Sequence, residues 1–229
     1  MSGRENLKIA ADRFLEALKT SSPGDLFALL PQISVLRDAR FFDPLHEMLL
    51  HSDRVKHEFA ATGLGALKDV RAIVPLSQRL TQRLNGESST GQPLPLVIVQ
   101  ALGEIGSDHA TPYLKNALDR EINPADRAAW IHNVIDSLGK ISQQGGGMAL
   151  ETLMALANGE DTGLCLPAIP EIAVAFWHKP KAVPSAVVQL LDDLLDDEIP
   201  AVRSAASSAL ENLADLGCGE AEHALTHRD

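Results

Sequence analysis

The sequence has few aromatic residues, two cysteines and no long apolar run. Aromatic residues make up 4% of its 229 positions, while hydrophobic residues make up 45% and are mostly Ala and Leu. Val and Ile seldom alternate with polar residues, so half-buried strands are not indicated. Because Ala and Leu favour helices and let them pack closely, this composition predicts an all-α protein.

The scarcity of cysteine and of apolar runs also limits the cellular setting. Cys165 and Cys218 belong to no CxxC or Cys/His cluster, so we expect two reduced thiols and neither a disulfide nor a metal site. No stretch reaches the roughly eighteen apolar residues that a membrane span needs. The first residues lack the pattern of a secretory signal. These absences predict a cytoplasmic protein without a membrane partner.

Positive charge is scarce in the second half of the chain. The formal net charge is −11, and all of the excess negative charge lies in residues 116–229. An acidic surface repels a phosphate backbone, so we expect no nucleic-acid partner.

Acidic residues are densest in DDLLDDEIP at 192–200. The simplest interpretation is a solvated face, and the alternative is a contact surface for a protein partner that carries a basic patch. The residues of this acidic patch are Asp192, Asp193, Asp196, Asp197 and Glu198.

Similar phrases recur along the chain. LRDARFFDPL at 36–45 and LKDVRAIVPL at 67–76 share Leu, Asp, Arg, Pro and Leu in register. Four further stretches resemble one another around Leu64, Leu102, Leu138 and Leu210. The steps between these leucines are 38, 36 and 72, and the last step is two of 36 with Val174 at its midpoint. A period near 36 residues predicts a repeat array.

Each period divides into two helical segments. Residues 124–141 place apolar side chains at three- and four-residue steps, and Ser185 and Asp53 are candidate helix caps. A lone hairpin cannot bury its apolar face, so hairpins must stack. We therefore predict one domain over 1–229, a right-handed α-solenoid of about six antiparallel helix hairpins. The predicted hairpins span roughly 5–37, 40–68, 70–106, 109–142, 147–178 and 183–216, with a capping helix at 219–227.

The repeated opening phrase predicts a turn between hairpins. Asp38 and Asp69 stand where a carboxylate can accept hydrogen bonds from free amides at the start of the next helix. Pro44 and Pro75 follow early in that helix, where proline is tolerated.

The repeat resembles the HEAT family, particularly its short bacterial form of the phycobilisome-lyase type. That repeat reads approximately V-R-x-x-A-A-x-A-L-G-x-[LI]-G-D, followed by A-x-P-x-L. Ankyrin and tetratricopeptide arrays fit less well, because their signature phrases are incomplete or absent. The resemblance implies an α-solenoid but says little about function, since such arrays serve many tasks. The matching letters are Val202-Arg203, Ala60-Ala61, Leu64-Gly65-Ala66-Leu67, Ala101-Leu102-Gly103-Glu104-Ile105-Gly106, Leu138-Gly139-Lys140-Ile141 and Ala110-Thr111-Pro112.

No catalytic signature is present. HEMLLH at 46–51 places its histidines five residues apart, so they do not converge as zinc-protease ligands do. VKHEF at 55–59 is similar to a His-Glu phrase of deoxyhypusine hydroxylase, a di-iron enzyme of HEAT-like build that needs four such pairs. Only His57-Glu58 is available here. We expect this pair on the exposed side of a helix, with no metal, no cofactor and no catalytic residue.

Both tryptophans raise the alternative of a ligand cage or a flipped-base pocket, as in DNA glycosylases of HEAT-like build. The repeat alignment instead places Trp130 and Trp177 at core positions. We therefore expect both to pack inside the protein.

We predict a non-catalytic protein–protein interaction module that uses its concave face. A bilin lyase or chromophore-handling subunit, implied by the repeat subtype, is the alternative, and a metal-dependent oxygenase is less favoured. The expected contact residues are Glu58, Gln100, Glu104, His132 and Asp136. The helical wheel directs the following pairs to the groove: Glu58 and Thr62, Leu96 and Gln100, His132 and Asp136, Ala168 and Ile172, Ser204 and Ser208.

Overall fold

The computed structural model describes residues 3–87, 95–179 and 182–226. Within these ranges the chain forms helices and the turns between them, and no residue is in a strand. None of the helices in these ranges combines the length and apolar character that a membrane crossing requires. The predicted all-α solenoid class is confirmed. Residue 227, the predicted end of the capping helix, and most of the 85–93 loop lie outside the described ranges.

The chain divides into two compact units, Met1–Ile105 and Gly106–Asp229. The single-domain prediction stays a prediction. In the first unit α2, α4 and α6 are the second helices of consecutive pairs, and α4 packs against both others. Short 3₁₀ turns precede α2, α3 and α5. The helices are α1 (Gly3–Thr20), α2 (Leu30–Leu36), α3 (Phe42–Leu49), α4 (Arg54–Leu67), α5 (Ile73–Glu87) and α6 (Leu96–Ile105).

The second unit repeats this arrangement. Its second helices, α8, α10 and α12, pack in sequence, and each also contacts the first helix of its own pair. The last helix, α13, packs against α11 and α12. The helices are α7 (Thr111–Leu118), α8 (Pro124–Gln143), α9 (Gly147–Ala157), α10 (Thr162–Val174), α11 (Ser185–Asp193), α12 (Pro200–Asp215) and α13 (Gly219–Thr226).

The repeated phrase forms the predicted turn between helix pairs. Asp38 accepts a hydrogen bond from the Arg40 amide, and Asp69 accepts one from the Arg71 amide, which confirms both as caps. Each aspartate also pairs with the guanidinium group of the same arginine. The hydrogen bond from the arginine side chain keeps the pKa of each carboxyl below its usual range. The turn is therefore held by backbone capping and ion pairing together.

Other helix starts differ in how they are capped. Asp53 caps α4 by accepting from the amides of residues 55 and 56, as predicted. The prediction for Ser185 is wrong, because Pro184 holds the cap position and the Ser185 hydroxyl donates to Glu220 instead. At α9 the cap residue is a glycine without a side chain, and Asp108 accepts from the amides of residues 148 and 149 in its place. This bond ties the start of α9 to the turn before α7.

Second helices approach each other through small residues beside the aligned leucines. In the first unit, a Cβ added to Gly65 would lie 2.8 Å from the Ala101 Cα atom, which places two helix backbones almost in contact. Gly65 follows Leu64, and Ala101 precedes Leu102. The glycine of the Leu-Gly phrase is therefore a packing residue. Because glycine has no side chain, the backbones of the two helices can lie this close together.

The register of α10 differs from the prediction. Ile172, and not Val174, is fully buried at the position of the aligned leucine. It lies 34 residues after Leu138 and 38 before Leu210, so the interval of 72 is divided unequally. A displacement of two residues rotates a helical pattern by about 200°. Buried and exposed sides of α10 are therefore exchanged relative to the prediction.

The two tryptophans differ in burial, and the register of α10 explains only the second. The core position of Trp130 is confirmed, since it is 1% exposed and its Nε1 donates to the Ala117 carbonyl at 2.9 Å. The core position of Trp177 is wrong, because its side chain is 59% exposed. Ala175, three residues after Ile172, is the buried residue instead.

The close approach of α4 and α6 predicts that Gly65→Ala destabilises the protein. The added methyl group meets the backbone of Ala101, which cannot move aside as a side chain can. Overpacking of this kind outweighs the helix propensity that alanine gains, and we expect a net loss of about 1–2 kcal/mol. Urea denaturation followed by circular dichroism measures the change.

Gly63→Ala is the matched control on the same helix. Its added Cβ would lie 3.0 Å from Ile33 Cδ1 and from Leu45 Cδ2, which are mobile side-chain ends. We expect this variant to stay within about 1 kcal/mol of the parent. If Gly65→Ala proves as stable as Gly63→Ala, the close-contact explanation is wrong.

Candidate interaction surface

The predicted contact residues fall into both units. In the first unit Glu58 is half-buried, with Oε1 accepting from Arg54 Nε at 2.6 Å, while Gln100 and Glu104 are exposed on α6. In the second unit His132 is exposed on α8. Asp136, one turn further on, is half-buried and pairs with Lys140 at 3.3 Å.

Two further predicted groove positions are buried. Ala168 and Ile172 have 0% exposed surface, so their assignment to the groove is wrong. The cause is the two-residue displacement of α10, which turns these side chains into the core. The half-exposed residues of α10 in this region are Leu166, Pro167, Glu171 and Val174, and Pro170 is exposed.

Glu171 occupies a position that holds a small residue in the neighbouring second helices. The residue before the aligned leucine or isoleucine is small and buried in α4, α6, α8 and α12. In α10 the corresponding residue is Glu171, which precedes Ile172. Its side chain lies over Gly139 of α8, where an added Cβ would overlap Glu171 Oε2. The small residues of the other helices are Gly63, Ala101, Ser137 and Ala209.

The surroundings of Glu171 disfavour its charged form. Burial is the main cause, and repulsion from Asp136 adds to it, while Lys140 acts in the opposite direction. Together they raise the pKa of Glu171 to about 7. Lys140 is already paired with Asp136. The Glu171 carboxyl group of α10 is therefore influenced by both members of an ion pair on α8. We call Asp136, Lys140 and Glu171 the Glu171 cluster.

The sequence pattern did not single out Glu171. The midpoint alignment on Val174 placed Glu171 three residues before the aligned position, where nothing distinguished it. Alignment on Ile172 would have shown a carboxylate in a column of Gly, Ala, Ser and Ala. This pattern emerges only if the repeats have unequal lengths.

The residues of the predicted acidic patch have different surroundings. Asp197 Oδ1 accepts from the Ile199 amide at 2.7 Å at the start of α12. Arg203 donates to the backbone carbonyls of Asp197 and Glu198. Asp192 instead lines an open cleft of about 610 Å³ between α11 and α13, together with Glu220 and His223. Asp193 and Asp196 are exposed. Part of the patch therefore stabilises a helix start.

The expected exposure of the His57-Glu58 pair is wrong for the histidine. His57 is 5% exposed, because it stands seven residues before Leu64, as the buried Ile131 stands before Leu138. Burial, followed by the charges of Arg79 and Arg83, lowers the pKa of His57 to about 4. In the described ranges, no three His, Cys, Asp or Glu side chains are grouped as metal ligands.

Both cysteines are free and buried. The Cys165 thiol donates to the Ala157 carbonyl at 3.0 Å. Burial raises the pKa of this thiol, so it stays protonated and unreactive near neutral pH.

Residues 97–120 match the family model described as PBS lyase HEAT-like repeat. The resemblance to HEAT-like repeats of this type, inferred from the sequence, is confirmed. No curated protein matches the sequence.

Several solved structures are similar at low identity. The complex of CpcE and CpcF of phycocyanin lyase from Nostoc sp. PCC7120 is 23% identical with a TM-score of 0.45, over 76% of this chain and 65% of that chain. This chain thus covers less than two thirds of that chain. The archaeal HEAT-like repeats protein from Thermococcus onnurineus NA1 is 14% identical with a TM-score of 0.48, over 89% and 80%. Human deoxyhypusine hydroxylase in complex with glycerol is 17% identical with a TM-score of 0.38, over 88% and 83%.

The raised pKa of Glu171 predicts a pH-dependent stability. The folded protein holds the Glu171 proton up to about pH 7, whereas the unfolded chain releases it near pH 4.5. The folded state therefore loses stability as pH rises through this window. Glu171→Gln mimics the protonated side chain, so at pH 8 it should exceed the parent by about 1–2 kcal/mol, given solvent screening of the partly exposed carboxyl.

Urea denaturation at pH 8 and at pH 4 measures this difference, which should nearly vanish at the lower pH. Glu151→Gln removes the same charge from the exposed side of α9 and is the matched control. A Glu171→Gln variant that is no more stable than the control at pH 8 contradicts the assignment.

Proposed function

We propose that this chain, which carries a PBS lyase HEAT-like repeat at residues 97–120, is a non-catalytic protein-interaction module. In this proposal a basic group of a cytoplasmic protein partner binds at the Glu171 cluster. Neighbouring His132 contributes to the same surface. Glu58, Gln100 and Glu104 form a further contact region on the first unit, and the exposed members of the acidic patch favour the approach of a basic partner.

The observation that carries the proposal is the placement of Glu171. A carboxyl group held between two helices and beside Asp136 raises the free energy of the unbound protein in its charged form. In α4, α6, α8 and α12 a small residue holds the same position, so the packing of second helices does not require a carboxylate there. Perturbed carboxyl groups of this kind concentrate at functional sites.

A partner's lysine or arginine would resolve this unfavourable arrangement. A second cation lets both Asp136 and Glu171 remain charged, and a charge-assisted hydrogen bond between charged groups is stronger than a neutral one. Binding would then release the Glu171 proton. Affinity should therefore rise as pH increases through about 7. It should also fall with added salt, since the pair is only partly buried.

Affinity capture with the full chain tests this proposal. We expect the parent protein to retain a stoichiometric protein from lysate of the source cell at pH 8, and to retain less of it at pH 6. Glu171→Gln should lower retention at pH 8 about tenfold, because one charge-assisted bond of about 1.5–3 kcal/mol is lost.

Glu151→Gln, which changes the same charge on the exposed side of α9, should leave retention unchanged. Equal loss in both variants would indicate general electrostatics and contradict the assigned surface. Absence of any stoichiometric partner, combined with a measured turnover, would overturn the interaction role itself.

A bilin-handling role is the second candidate. Its support is the matched repeat, whose description names the phycobilisome lyases. If the chain binds a bilin, mixing the two should shift and sharpen the visible absorbance bands of the tetrapyrrole. The same chain unfolded in urea is the control. An absorbance spectrum identical to that of the control removes this candidate.

A further inference from the structure

Two prolines interrupt the backbone hydrogen bonds of α10. Pro167 and Pro170 both lie inside this helix, where proline is the least favourable residue. Neither has a backbone N–H, so the carbonyl groups of Gly163 and Leu166 lack the bond that a helix supplies from four residues ahead. Pro167 is half-exposed and Pro170 is exposed. Because each carbonyl group points toward a proline that solvent reaches, both lie on the solvent side of α10.

One of these carbonyl groups lies on the same face of α10 as Glu171. Gly163, Pro167 and Glu171 follow one another at steps of four residues, which places them in one row along the helix. Gly163 is exposed and has no side chain to cover its carbonyl group. Pro170 precedes Glu171 directly, so it stands about 100° around the helix from it. The Gly163 carbonyl is therefore the free backbone acceptor on the Glu171 side of α10.

The separation of these two acceptors suits a group with several donors. Gly163 and Glu171 are about 12 Å apart along the helix axis, at 1.5 Å per residue. The carbonyl points forward along the helix and the Glu171 side chain leans back toward its start, so their oxygen atoms are closer than this. A lysine presents its donors from one nitrogen atom, whereas a guanidinium group presents donors on opposite edges of a plane.

The charges around this row are largely balanced. Asp136 and Lys140, whose charges act on the Glu171 carboxyl, form an ion pair with each other. At the start of α10, Arg127 of α8 pairs with the cap residue Asp161, with Nη2 and Oδ2 3.3 Å apart. Both pairs are internally neutral. The carboxylate of Glu171 is therefore the charge that a bound cation would meet here.

We propose that the basic group bound at the Glu171 cluster is an arginine side chain of the partner, whose guanidinium group bridges the Glu171 carboxylate and the Gly163 carbonyl. This inference rests on the proposed interaction role. A guanidinium group has five N–H donors in a plane, so it can give two bonds to a carboxylate and still reach a carbonyl. The ring of Pro167 lies between the two acceptors and offers an apolar surface to the methylene groups of the arginine.

NMR titrations of the full chain with two short peptides test this inference. The peptides are acetyl-Gly-Arg-Gly-amide and its lysine counterpart, compared at pH 8 and equal ionic strength through the backbone amide signals of α10. We expect the arginine peptide to bind about tenfold more tightly, because it makes one more charge-assisted hydrogen bond. Glu171→Gln should weaken the binding of both peptides, since both use the carboxylate.

Pro167→Ala is the decisive variant. It gives position 167 an N–H, which can bond to the Gly163 carbonyl and so removes this acceptor from the surface. We expect the affinity for the arginine peptide to fall about tenfold, to that of the lysine peptide, while the lysine peptide binds as before. The unfolding midpoint should not fall, because alanine favours a helix interior over proline.

Pro170→Ala is the matched control. It makes the same exchange inside the same helix, but it restores the bond to the Leu166 carbonyl and leaves the Gly163 carbonyl free. This variant should bind the arginine peptide as the parent does.

Three results would each overturn the arginine assignment. One is equal affinity of the parent for the two peptides, with both weakened by Glu171→Gln, which would leave the proposed interaction surface intact. Another is an arginine preference that survives in Pro167→Ala or is lost equally in Pro170→Ala. The third is binding of neither peptide. Capture of a partner at pH 8 tests the interaction role separately, so the two failures can be told apart.

Discussion

The structure depends on how closely successive second helices can approach. Gly65 meets the backbone of Ala101, and Gly139 lies beneath Glu171, so the glycine after the aligned leucine accepts a residue of the next helix in both units. Apolar helices with so few aromatic side chains bury enough surface only if their backbones are this close. The Leu-Gly phrase is therefore the feature on which the stacking of helix pairs rests.

Glu171 is informative because it departs from this packing rule. Where α4, α6, α8 and α12 place Gly, Ala or Ser, α10 places a carboxylate, and Gly139 leaves the space for it. The contact between α8 and α10 therefore contains a polar group, while the two helices still pack against each other. His57 is a comparable departure, since it takes a position that an isoleucine holds in α8. In both units a polar group in a packing position has a strongly shifted pKa, and burial is the main cause.

Much of the architecture could be predicted from local pattern. The Asp caps at 38, 53 and 69, the burial of Trp130 and the all-α solenoid class follow from residue types and a period near 36. The predictions were wrong where they relied on a constant repeat length. The assumption of equal repeats misplaced α10 by two residues, which put Trp177 in the core and Ile172 in the groove. In a helix, an error of two residues rotates the predicted pattern by about 200° and so exchanges its buried and exposed faces.

The sequence by itself determined the class of fold, the pairing of helices and the turns between them, because helix propensity, capping and apolar periodicity act over a few residues. Only the tertiary structure decided which polar groups are buried and which charges meet. Glu171 and Asp136 are 35 residues apart in the chain, and Arg79 is 22 residues from His57. Their pKa values depend on distances across neighbouring helices, and those distances are set by packing that no local pattern encodes.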